Sequence, residues 1–370
     1  METIGIGVIG CGLRARALVG QMLERSKHIP VTAVCDVSPQ AAASARDAFG
    51  DHTTAHATVH ADYHALVADP AVQWVLVGSW NCYHAGQVIA AFQAGKNVFC
   101  EKPLAITVDD CLAMRDAWRA SGKACFVGYT LRYSPMYRKV QELVSAGAIG
   151  QPISLEFNET LAFGHGGYIH ADWRRDSKLA GPHILEKCSH DVDLVNWMLG
   201  SLALKAASFG GCNFFTPEHR HRADEVGLAP NGRRPYCEPR GLLVAILEYE
   251  NRVRASFHTN LNAALPERRL YICGSEGALR AGMAANQIEL CRIAWDAKPE
   301  TITTASGKYG GGNTILADSL IASMVHGSPP ATSITDGLTS AITCLAIDEA
   351  MRTGSVIDLA PTWRRAGLIA

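Results

Sequence analysis

The chain has 370 residues, of which 48% are hydrophobic and 19% charged, and its formal net charge is −1. This length favours two domains, and the apolar content excludes a disordered chain. The near-zero charge argues against nucleic-acid binding and against binding to an anionic membrane surface. Because no apolar run reaches the ~18–20 residues of a transmembrane helix, we expect a cytoplasmic protein.

Twelve cysteines are spread along the chain, and the two nearest in sequence, Cys100 and Cys111, are eleven positions apart. The sequence contains neither C-x-x-C nor C-x-C, the spacings typical of zinc sites. Free cysteine behaves as a small hydrophobic residue. We therefore expect buried, reduced thiols and no metal site.

Short β-rich runs alternate with helical segments over residues 1–125. This alternation is typical of βαβ units and predicts a doubly wound parallel sheet with helices on both faces. The predicted strands are Ile4–Ile9, Val31–Cys35, Trp74–Val77, Asn97–Phe99 and Ala124–Val127. The predicted helices are Leu13–Arg25, Pro39–Phe49, His84–Ala94 and Val108–Ala120.

Residues 126–370 change in character, because strands follow strands and several alternate with period two. This pattern predicts an α+β domain with a mostly antiparallel sheet, and Asn251 marks a hairpin turn. The stretch 217–239 is rich in Arg and Pro and predicts a long excursion between strands. The predicted strands are Pro152–Glu159, Ala206–Phe215, Gly241–Tyr249, Val253–Asn260 and Arg268–Cys273, and the helices are Ile184–Leu199, Leu316–Val325 and Ser340–Arg352.

A glycine loop, G-C-G-L-R-A, follows the first predicted strand and opens the first helix. Gly10 permits a tight turn, Gly12 permits close approach to a pyrophosphate, and Ala15 permits close packing of helix on strand. The phosphates would meet the free N–H groups of the helix N-terminus. The loop predicts a dinucleotide site that includes Gly10, Cys11, Gly12, Leu13 and Arg14.

Asp36 ends the second predicted strand, where a ribose-binding carboxylate is expected. A carboxylate accepts hydrogen bonds from the ribose hydroxyls and repels a 2′-phosphate, so Asp36 favours NAD. Ser38 leaves NADP possible, because its hydroxyl could bind that phosphate. The alternative interpretation is that Asp36 is an ordinary turn residue of the D-V-S-P segment.

Further motifs extend along nearly the whole chain, and together they resemble the glucose–fructose oxidoreductase / inositol dehydrogenase (Gfo/Idh/MocA) family. They are GVIGCG at 7–12, AGKNVFCEKPL at 94–104, GAIGQP at 147–152, GSEG at 274–277, YGGG at 309–312 and DGLTS at 336–340. The resemblance implies a Rossmann domain, a C-terminal domain with a large open sheet, and bound NAD or NADP. It also implies a sugar, sugar-derivative or cyclitol substrate and a homodimer or homotetramer formed through that sheet.

The E-K-P segment carries the most specific part of the resemblance. The family implies that Lys102 is a catalytic lysine between nicotinamide and substrate and that Glu101 lies near the nicotinamide ribose. The turn S-W-N-C-Y-H after the third predicted strand resembles the family's T-P-N-x-x-H, with tryptophan in place of proline. It implies further cofactor-pocket residues, which are Ser79, Trp80, Asn81 and His84.

If residues 183–197 form a helix, one of its faces carries His183, Glu186, His190, Asp193 and Trp197. A solvated helix face would explain this stripe, whereas a metal pair at Glu186 and His190 lacks an evident third ligand. A glutamate that orients a histidine is the third interpretation. The resemblance favours the third, and it implies that His190 is the general base, that Glu186 replaces the family's aspartate, and that Lys187 adds a cation.

The stretch 163–175 combines glycines with aromatic, basic and hydroxyl-binding side chains, and we expect a substrate loop. Aromatic rings stack on the C–H face of a sugar, while Arg and His bind its hydroxyls. The alternative is a surface loop anchored by one tryptophan. The resemblance implies substrate contacts here and at a second position, so the candidates are Tyr168, Trp173, Arg174, Arg132 and Tyr133, besides Lys187 and His190.

These observations predict an NAD(P)-dependent oxidoreductase of a sugar or cyclitol hydroxyl. In it His190 would take the hydroxyl proton, Glu186 would hold His190, and Lys102 would stabilise the alkoxide. Two other functions stay open. One is a redox-neutral hydrolase or lyase that oxidises its substrate transiently and retains NAD, and the other is a non-catalytic NAD-binding sensor.

Overall fold

The computed structural model describes residues 3–50, 57–170, 173–219, 242–305 and 311–370. Two compact units emerge, one formed by residues 1–133 and 311–338 and the other by residues 134–310 and 339–370. The predicted division after residue 125 assigned 311–338 to the second domain, and the structure differs there. None of the helices in the described ranges is long and apolar enough to cross a membrane.

The first unit contains a parallel six-stranded sheet with the order β3-β2-β1-β4-β5-β6. Its strands are β1 (Ile6–Ile9), β2 (Val31–Cys35), β3 (Thr58–Val59), β4 (Trp74–Val77), β5 (Asn97–Cys100) and β6 (Cys125–Val127). Its first five helices are α1 (Leu13–Arg25), α2 (Pro39–Gly50), α3 (Tyr63–Ala68), α4 (His84–Gln93) and α5 (Val108–Ser121). This order is that of a doubly wound nucleotide-binding sheet, as the alternating pattern predicted.

Apolar side chains on both faces of this sheet explain why the four central strands read as continuous hydrophobic runs. All four residues of β1 and all four of β4 are buried, as expected for strands covered on both faces. The late helix α11 (Gly312–His326) returns to this core, where its Leu316 and Leu320 pack with α1. Its distance in sequence from the sheet explains why the sequence pattern did not assign it to the first unit.

The second unit contains a nine-stranded sheet with the order β14-β13-β12-β11-β7-β10-β9-β8-β15. The β7–β10 pair is parallel and the other pairs are antiparallel, in agreement with the predicted α+β class. Asn251 does lie in a hairpin turn, where its side chain accepts from the Val253 N–H at 3.2 Å. The strands are β7 (Pro152–Thr160), β8 (Ala203–Gly211), β9 (Leu242–Tyr249), β10 (Arg254–Asn260), β11 (Glu267–Gly274), β12 (Gly277–Gly282), β13 (Gln287–Arg292), β14 (Glu300–Thr303) and β15 (Ile357–Asp358).

The helices of the second unit include two departures from the sequence prediction. The predicted helix Ile184–Leu199 is broken into α9 (His183–Glu186) and α10 (Ser189–Leu199), because Lys187 and Cys188 form the junction. The stretch 163–175, where we expected a substrate loop, contains the helix α7 (Phe163–His170) and a 3-10 turn at Trp173–Arg175. The other helices are α6 (Pro135–Ser145), α8 (Ser177–Ala180), α12 (Ile334–Thr353), whose first turn belongs to the first unit, and α13 (Ala360–Ala366).

Within the described residues, the cysteines follow the expectation with one exception. Ten of these cysteines are free, and seven of the ten are buried. Burial raises the pKa of Cys111 to about 12, so this thiol stays protonated and unreactive. Cys212 is disulfide-bonded, which makes the prediction of uniformly reduced cysteines wrong at this position. Most of the predicted excursion 217–239 lies outside the described residues.

Candidate functional site

The glycine loop has the geometry that a dinucleotide site needs. Gly10 has φ +83°, and a Cβ there would lie 2.4 Å from the Ser79 backbone nitrogen, so a side chain at this position would displace the β4–α4 connection. A Cβ on Gly12, by contrast, would meet no atom within 4 Å. Gly12 also caps α1, whose first N–H groups are therefore available to a phosphate.

Asp36 ties the end of β2 to the glycine loop. Its Oδ2 accepts from the Cys11 N–H at 2.7 Å and its Oδ1 from the Ser38 N–H at 2.8 Å. Each carboxylate oxygen has a second lone pair, so Asp36 can still accept from ribose hydroxyls. The Cys11 side chain is buried, which leaves only its backbone for the cofactor role that the motif predicts.

A cavity of about 240 Å³ opens between the glycine loop, the end of β2 and the β4–α4 connection. It is lined by Gly10, Gly12, Asp36, Ser79 and Trp80, which were predicted from the sequence, and by others that were not. The additional lining residues are Ile9, Cys35, Val37, Ala61, Asp62, Tyr63, Gly78, Tyr83 and Gln87. Open space over Gly12, helix N–H groups and a carboxylate at the end of β2 together fit the pyrophosphate and ribose of NAD.

Arg14 points toward the E-K-P segment. Its Nε lies 2.9 Å from Glu101 Oε1, and its two other nitrogens donate to Thr130 Oγ1 and Asn313 Oδ1, each at 2.8 Å. Gly128 leaves room for this carboxylate, because a Cβ there would lie 2.9 Å from Glu101 Oε2. The guanidinium thus fixes the position of Glu101, and direct contact of Arg14 with the cofactor stays a prediction.

His84 bridges the Lys102–Pro103 segment and the connection between β4 and α4. Its ring nitrogens face the Pro103 carbonyl oxygen at 2.8 Å and the Ser79 carbonyl oxygen at 3.2 Å, and the Lys102–Pro103 peptide bond is cis. Burial lowers the pKa of His84 below its usual value. His84 therefore joins the loops that follow β4 and β5, whereas the neighbouring Asn81 is buried at the start of a 3-10 turn.

Arg132 and Tyr133, predicted to contact substrate, are buried within the first unit. Arg132 forms an ion pair with Asp336 at 2.9 Å, and the Tyr133 hydroxyl lies 3.3 Å from Thr332 Oγ1. The partners come from the late segment that returns to this unit. Contact of either residue with substrate stays a prediction.

The stripe predicted on residues 183–197 is not a solvated helix face. His183, Glu186, His190 and Asp193 are all buried, and Lys187 and Cys188 separate the helix of the first two from the helix of the last two. Glu186 Oε1 lies 3.3 Å from Arg174 Nε, and the Arg174 guanidinium lies 4.5 Å from the centre of the Trp173 ring. The predicted substrate residues Trp173 and Arg174 are thereby linked to Glu186.

A buried charge cluster lies beside His190 in sequence and consists of Glu159, Lys187, Asp191 and Arg268. Arg268 bridges Asp191, at 2.8 Å and 3.0 Å, and Glu159, while Lys187 Nζ lies 3.4 Å from Glu159 Oε1. The two cations lower the pKa of Glu159 against the effect of burial. Burial and the negative charge of Glu159 raise the pKa of Asp191, whereas Arg268 opposes that shift.

Three groups of this region, Glu159, Cys188 and Asp191, are close enough to share a metal ion. The Arg268 guanidinium already contacts both carboxylates, and Lys187 adds a second positive charge. A divalent cation would have to displace these cations, so the residues do not fit a metal centre.

Tyr168 was also predicted to contact the substrate. Its side chain is not among those that the structure describes, so this contact stays a prediction.

The sheet order, the glycine loop and Asp36 define the first unit as a dinucleotide-binding Rossmann domain. The profile described as "Oxidoreductase family, NAD-binding Rossmann fold" matches residues 4–129, and that of the "GFO/IDH/MocA C-terminal domain" matches residues 137–280. The chain therefore belongs to the Gfo/Idh/MocA oxidoreductase family, as its motifs predicted.

Curated relatives include the inositol 2-dehydrogenase of Burkholderia multivorans (strain ATCC 17616 / 249), which is 34% identical over 200 residues, 54% of this chain and 55% of the relative. The inositol 2-dehydrogenase/D-chiro-inositol 3-dehydrogenase of Lactiplantibacillus plantarum (strain ATCC BAA-793 / NCIMB 8826 / WCFS1) is 30% identical over 198 residues, 52% of each chain. The chain thus spans about half the length of the curated relatives it matches.

Solved structures share the fold over nearly the full length. A levoglucosan dehydrogenase in complex with NADH and levoglucosan has a TM-score of 0.81 at 19% identity, covering 97% of this chain and 100% of that one. An oxidoreductase domain protein from Kribbella flavida has a TM-score of 0.80 at 23% identity, covering 97% and 99%. At these identities the likeness shows the fold alone.

Two sets of residues were missed by sequence reasoning. Asp62, Tyr63 and Tyr83 line the cavity, and the position of Asp62 after a strand could have indicated it had the two-residue β3 been recognised. Arg268 and Glu159 were placed in predicted strands, but no local pattern reveals that they meet across 109 residues of sequence.

Proposed function

We propose that this protein is an NAD-dependent dehydrogenase that oxidises a secondary hydroxyl of a sugar, sugar derivative or cyclitol. The observation that carries the proposal is the cavity between the glycine loop and Asp36, in a chain of an oxidoreductase family. The names of the inositol and levoglucosan dehydrogenases to which the chain is similar support the substrate class. Asp36 supports NAD over NADP, because its carboxylate would repel a 2′-phosphate.

In the proposed reaction, bound NAD supplies a nicotinamide that accepts the hydride. His190 takes the hydroxyl proton, a role suited to imidazole because it titrates near neutral pH. Lys102 stabilises the negative charge on the same oxygen, and Glu101 is held near the nicotinamide ribose by Arg14. Glu186 acts as a positioning residue for His190, supported by its own ion pair with Arg174.

The proposed substrate contacts combine an aromatic ring with hydrogen-bonding groups. Trp173 offers a ring for stacking, and Arg174 is oriented by that ring and by Glu186. Such pairs bind the C–H face and the hydroxyls of a neutral polyol. The further proposed contacts are Tyr168, Lys187, Arg132 and Tyr133.

We further propose that the chain forms a homodimer or homotetramer through the nine-stranded sheet. Phe209 pairs with Val244 across β8 and β9, and both are exposed together with Ile246. An exposed apolar row on a sheet is typical of an interface. Val244→Asp should lower the mass measured by light scattering, and an unchanged mass would contradict the proposal that this surface is the interface.

The cytoplasmic location of the protein stays a prediction.

The first test is nicotinamide absorbance with NAD or NADP against a panel of sugars, glycosides and cyclitols, with products identified by mass spectrometry. Steady reduction with one substrate supports the dehydrogenase. A cleaved glycoside with copurified NAD and no net reduction would instead indicate the redox-neutral reaction. Nucleotide binding without turnover of any panel member would indicate a sensor.

The roles of the proposed catalytic residues are tested with Lys102→Met and His190→Asn. Each should lower kcat by about 10²–10⁴-fold, the usual contribution of acid–base groups, while the Kd for NAD changes little. His183→Gln is the matched control, because it alters a nearby buried histidine to which no chemistry is assigned. Equal losses of kcat in His183→Gln and His190→Asn would contradict the role of His190.

A further inference from the structure

Each cationic side chain that we propose as a substrate contact already has a carboxylate partner within the protein. The pairs are Arg132–Asp336 at 2.9 Å, Arg174–Glu186 at 3.3 Å and Lys187–Glu159 at 3.4 Å. A substrate carboxylate would need a cation whose charge is not yet neutralised, whereas a hydroxyl needs only a hydrogen-bond donor or acceptor. This pairing therefore favours a neutral substrate.

The pair of Lys187 and Glu159 is the one with both members nearly buried. The two side chains are 11% and 2% exposed, so little water screens their interaction. Glu159 belongs to β7, and Lys187 belongs to the junction between α9 and α10. A strand thus supplies the carboxylate that neutralises the ammonium of the residue next to Glu186.

Arg268 holds Glu159 in place without using up its charge. The guanidinium contacts Glu159 and also donates to both carboxylate oxygens of Asp191, at 2.8 Å and 3.0 Å. Two parallel bonds to one carboxylate make a strong partner for an arginine. Because Asp191 supplies that partner, the negative charge of Glu159 is shared with Lys187.

The charges of this pair act on the stretch proposed to bind substrate. Burial, followed by the positive charge of Lys187, lowers the pKa of His165 to about 4, whereas the negative charges of Glu159 and Glu186 oppose this shift. His165 lies on α7, the helix within that stretch. Lys187 and Glu159 therefore affect the same side chain of α7 with opposite sign.

We propose that Glu159 is a positioning residue that makes the site select neutral polyols against sugar acids, because it holds and neutralises Lys187. The inference rests on the proposed function and adds the charge class of the substrate. An ammonium has three N–H donors, so Lys187 can face Glu159 and still donate to substrate hydroxyls. A sugar carboxylate would instead meet a paired ammonium and be repelled by Glu159, which is discrimination by an unfavourable contact.

The test compares neutral sugars with their acids in the full chain with NAD. The probes are D-glucose against D-glucuronate and D-galactose against D-galacturonate, and kcat/KM is measured for each. Where a probe is not turned over, its inhibition of the sugar found in the panel supplies its affinity. The wild-type protein should favour the neutral member of a pair by about tenfold or more, since one hydrogen bond to a charged group has that size.

Glu159→Gln keeps the shape of the side chain and frees the charge of Lys187. We expect the ratio of neutral sugar to uronate to shift toward the uronate by about tenfold or more. Lys187→Gln added to Glu159→Gln should abolish this gain, because no ammonium remains. The matched control is Glu156→Gln, which removes the same charge from an exposed position of β7 and should leave the ratio unchanged.

An equal loss for both members of a pair in Glu159→Gln would overturn the inference, because a purely structural role lowers both alike. A wild-type preference for a uronate, or no gain in uronate binding in Glu159→Gln, would also overturn it. If circular dichroism shows that Glu159→Gln does not fold, Lys187→Gln alone decides, since it should increase the preference for the neutral sugar. Turnover of neutral sugars with an unchanged ratio refutes this inference alone, whereas no turnover of any panel sugar refutes the proposed function.

Discussion

The cofactor cavity of the first unit and the buried charge cluster of the second unit hold ionisable side chains in opposite ways. In the cavity, Asp36 is anchored by two backbone N–H groups and keeps lone pairs for a ligand. In the cluster, Arg268 contacts two carboxylates inside the protein. The cavity groups are therefore available for recognition, whereas the cluster groups pair their charges with one another and link the β7, β11 and α10 segments.

This difference predicts where mutations act. Changes in the cavity should alter binding at a moderate loss of stability, because solvent can replace what is removed. Changes in the cluster should alter stability strongly, since a buried charge that loses its partner has no water to replace it.

The largest effect is expected for Arg268→Met, which leaves Glu159 and Asp191 without their shared cation. The free energy of unfolding should fall by about 3–5 kcal/mol, as for other broken buried pairs, and urea unfolding measures it. The matched control is Arg254→Met on β10, whose pair with Glu248 at 3.2 Å is exposed. The control should lose less than about 1 kcal/mol. Similar losses in both variants would contradict the distinction between buried and exposed pairs.

The next largest effect on stability is expected for His183 and depends on pH. Burial lowers the pKa of His183 from 6.5 to about 4. Between these values the unfolded chain binds a proton that the folded protein does not, so this histidine costs stability as pH falls from about 6.5 to 4. His183→Gln lacks the penalty. Its stability relative to wild type should rise by up to about 3 kcal/mol over that interval. A difference that stays constant from pH 7 to 4 would show that His183 is not held neutral.

A smaller effect is expected for Gly10→Ala, since the added Cβ would lie 2.4 Å from the Ser79 backbone at a φ of +83°. We expect a loss of about 2 kcal/mol in unfolding free energy together with weaker NAD binding, measured by calorimetry. Gly12→Ala is the control, because its Cβ meets no protein atom. This control should keep the stability and lose only NAD affinity. Loss of stability in both variants would contradict the conclusion that the space over Gly12 is open and available to the cofactor.

The smallest change in stability is expected for Asp36→Asn, which removes an acceptor from one of two backbone N–H groups. We expect a loss of about 1 kcal/mol and a shift of the NAD to NADP affinity ratio of about tenfold toward NADP, because the negative charge is gone. Asp47→Asn on the exposed face of α2 is the control. An unchanged ratio of the two affinities in Asp36→Asn would indicate that another residue selects between NAD and NADP.

Local patterns in the sequence determined the first unit to a large extent. The buried runs of β1, β2, β4 and β5, the glycine loop and Asp36 were all predicted, because hydrophobic runs and turn residues act over a few positions. The antiparallel class of the second unit followed from consecutive strands. The family motifs added Lys102 and His190, whose roles stay proposals.

Tertiary structure decided what depends on residues far apart in sequence. The two-residue β3 is a strand only because β2 lies beside it, and with it the sheet brings Asp62 to the cavity. The helix break at Lys187 is accompanied by contacts to Glu159 and, through Cys188, to Thr259 on other strands. Arg268 meets Asp191 across 77 positions. Propensity and periodicity describe neighbours along the chain, whereas these contacts arise from packing between elements, which a local pattern does not encode.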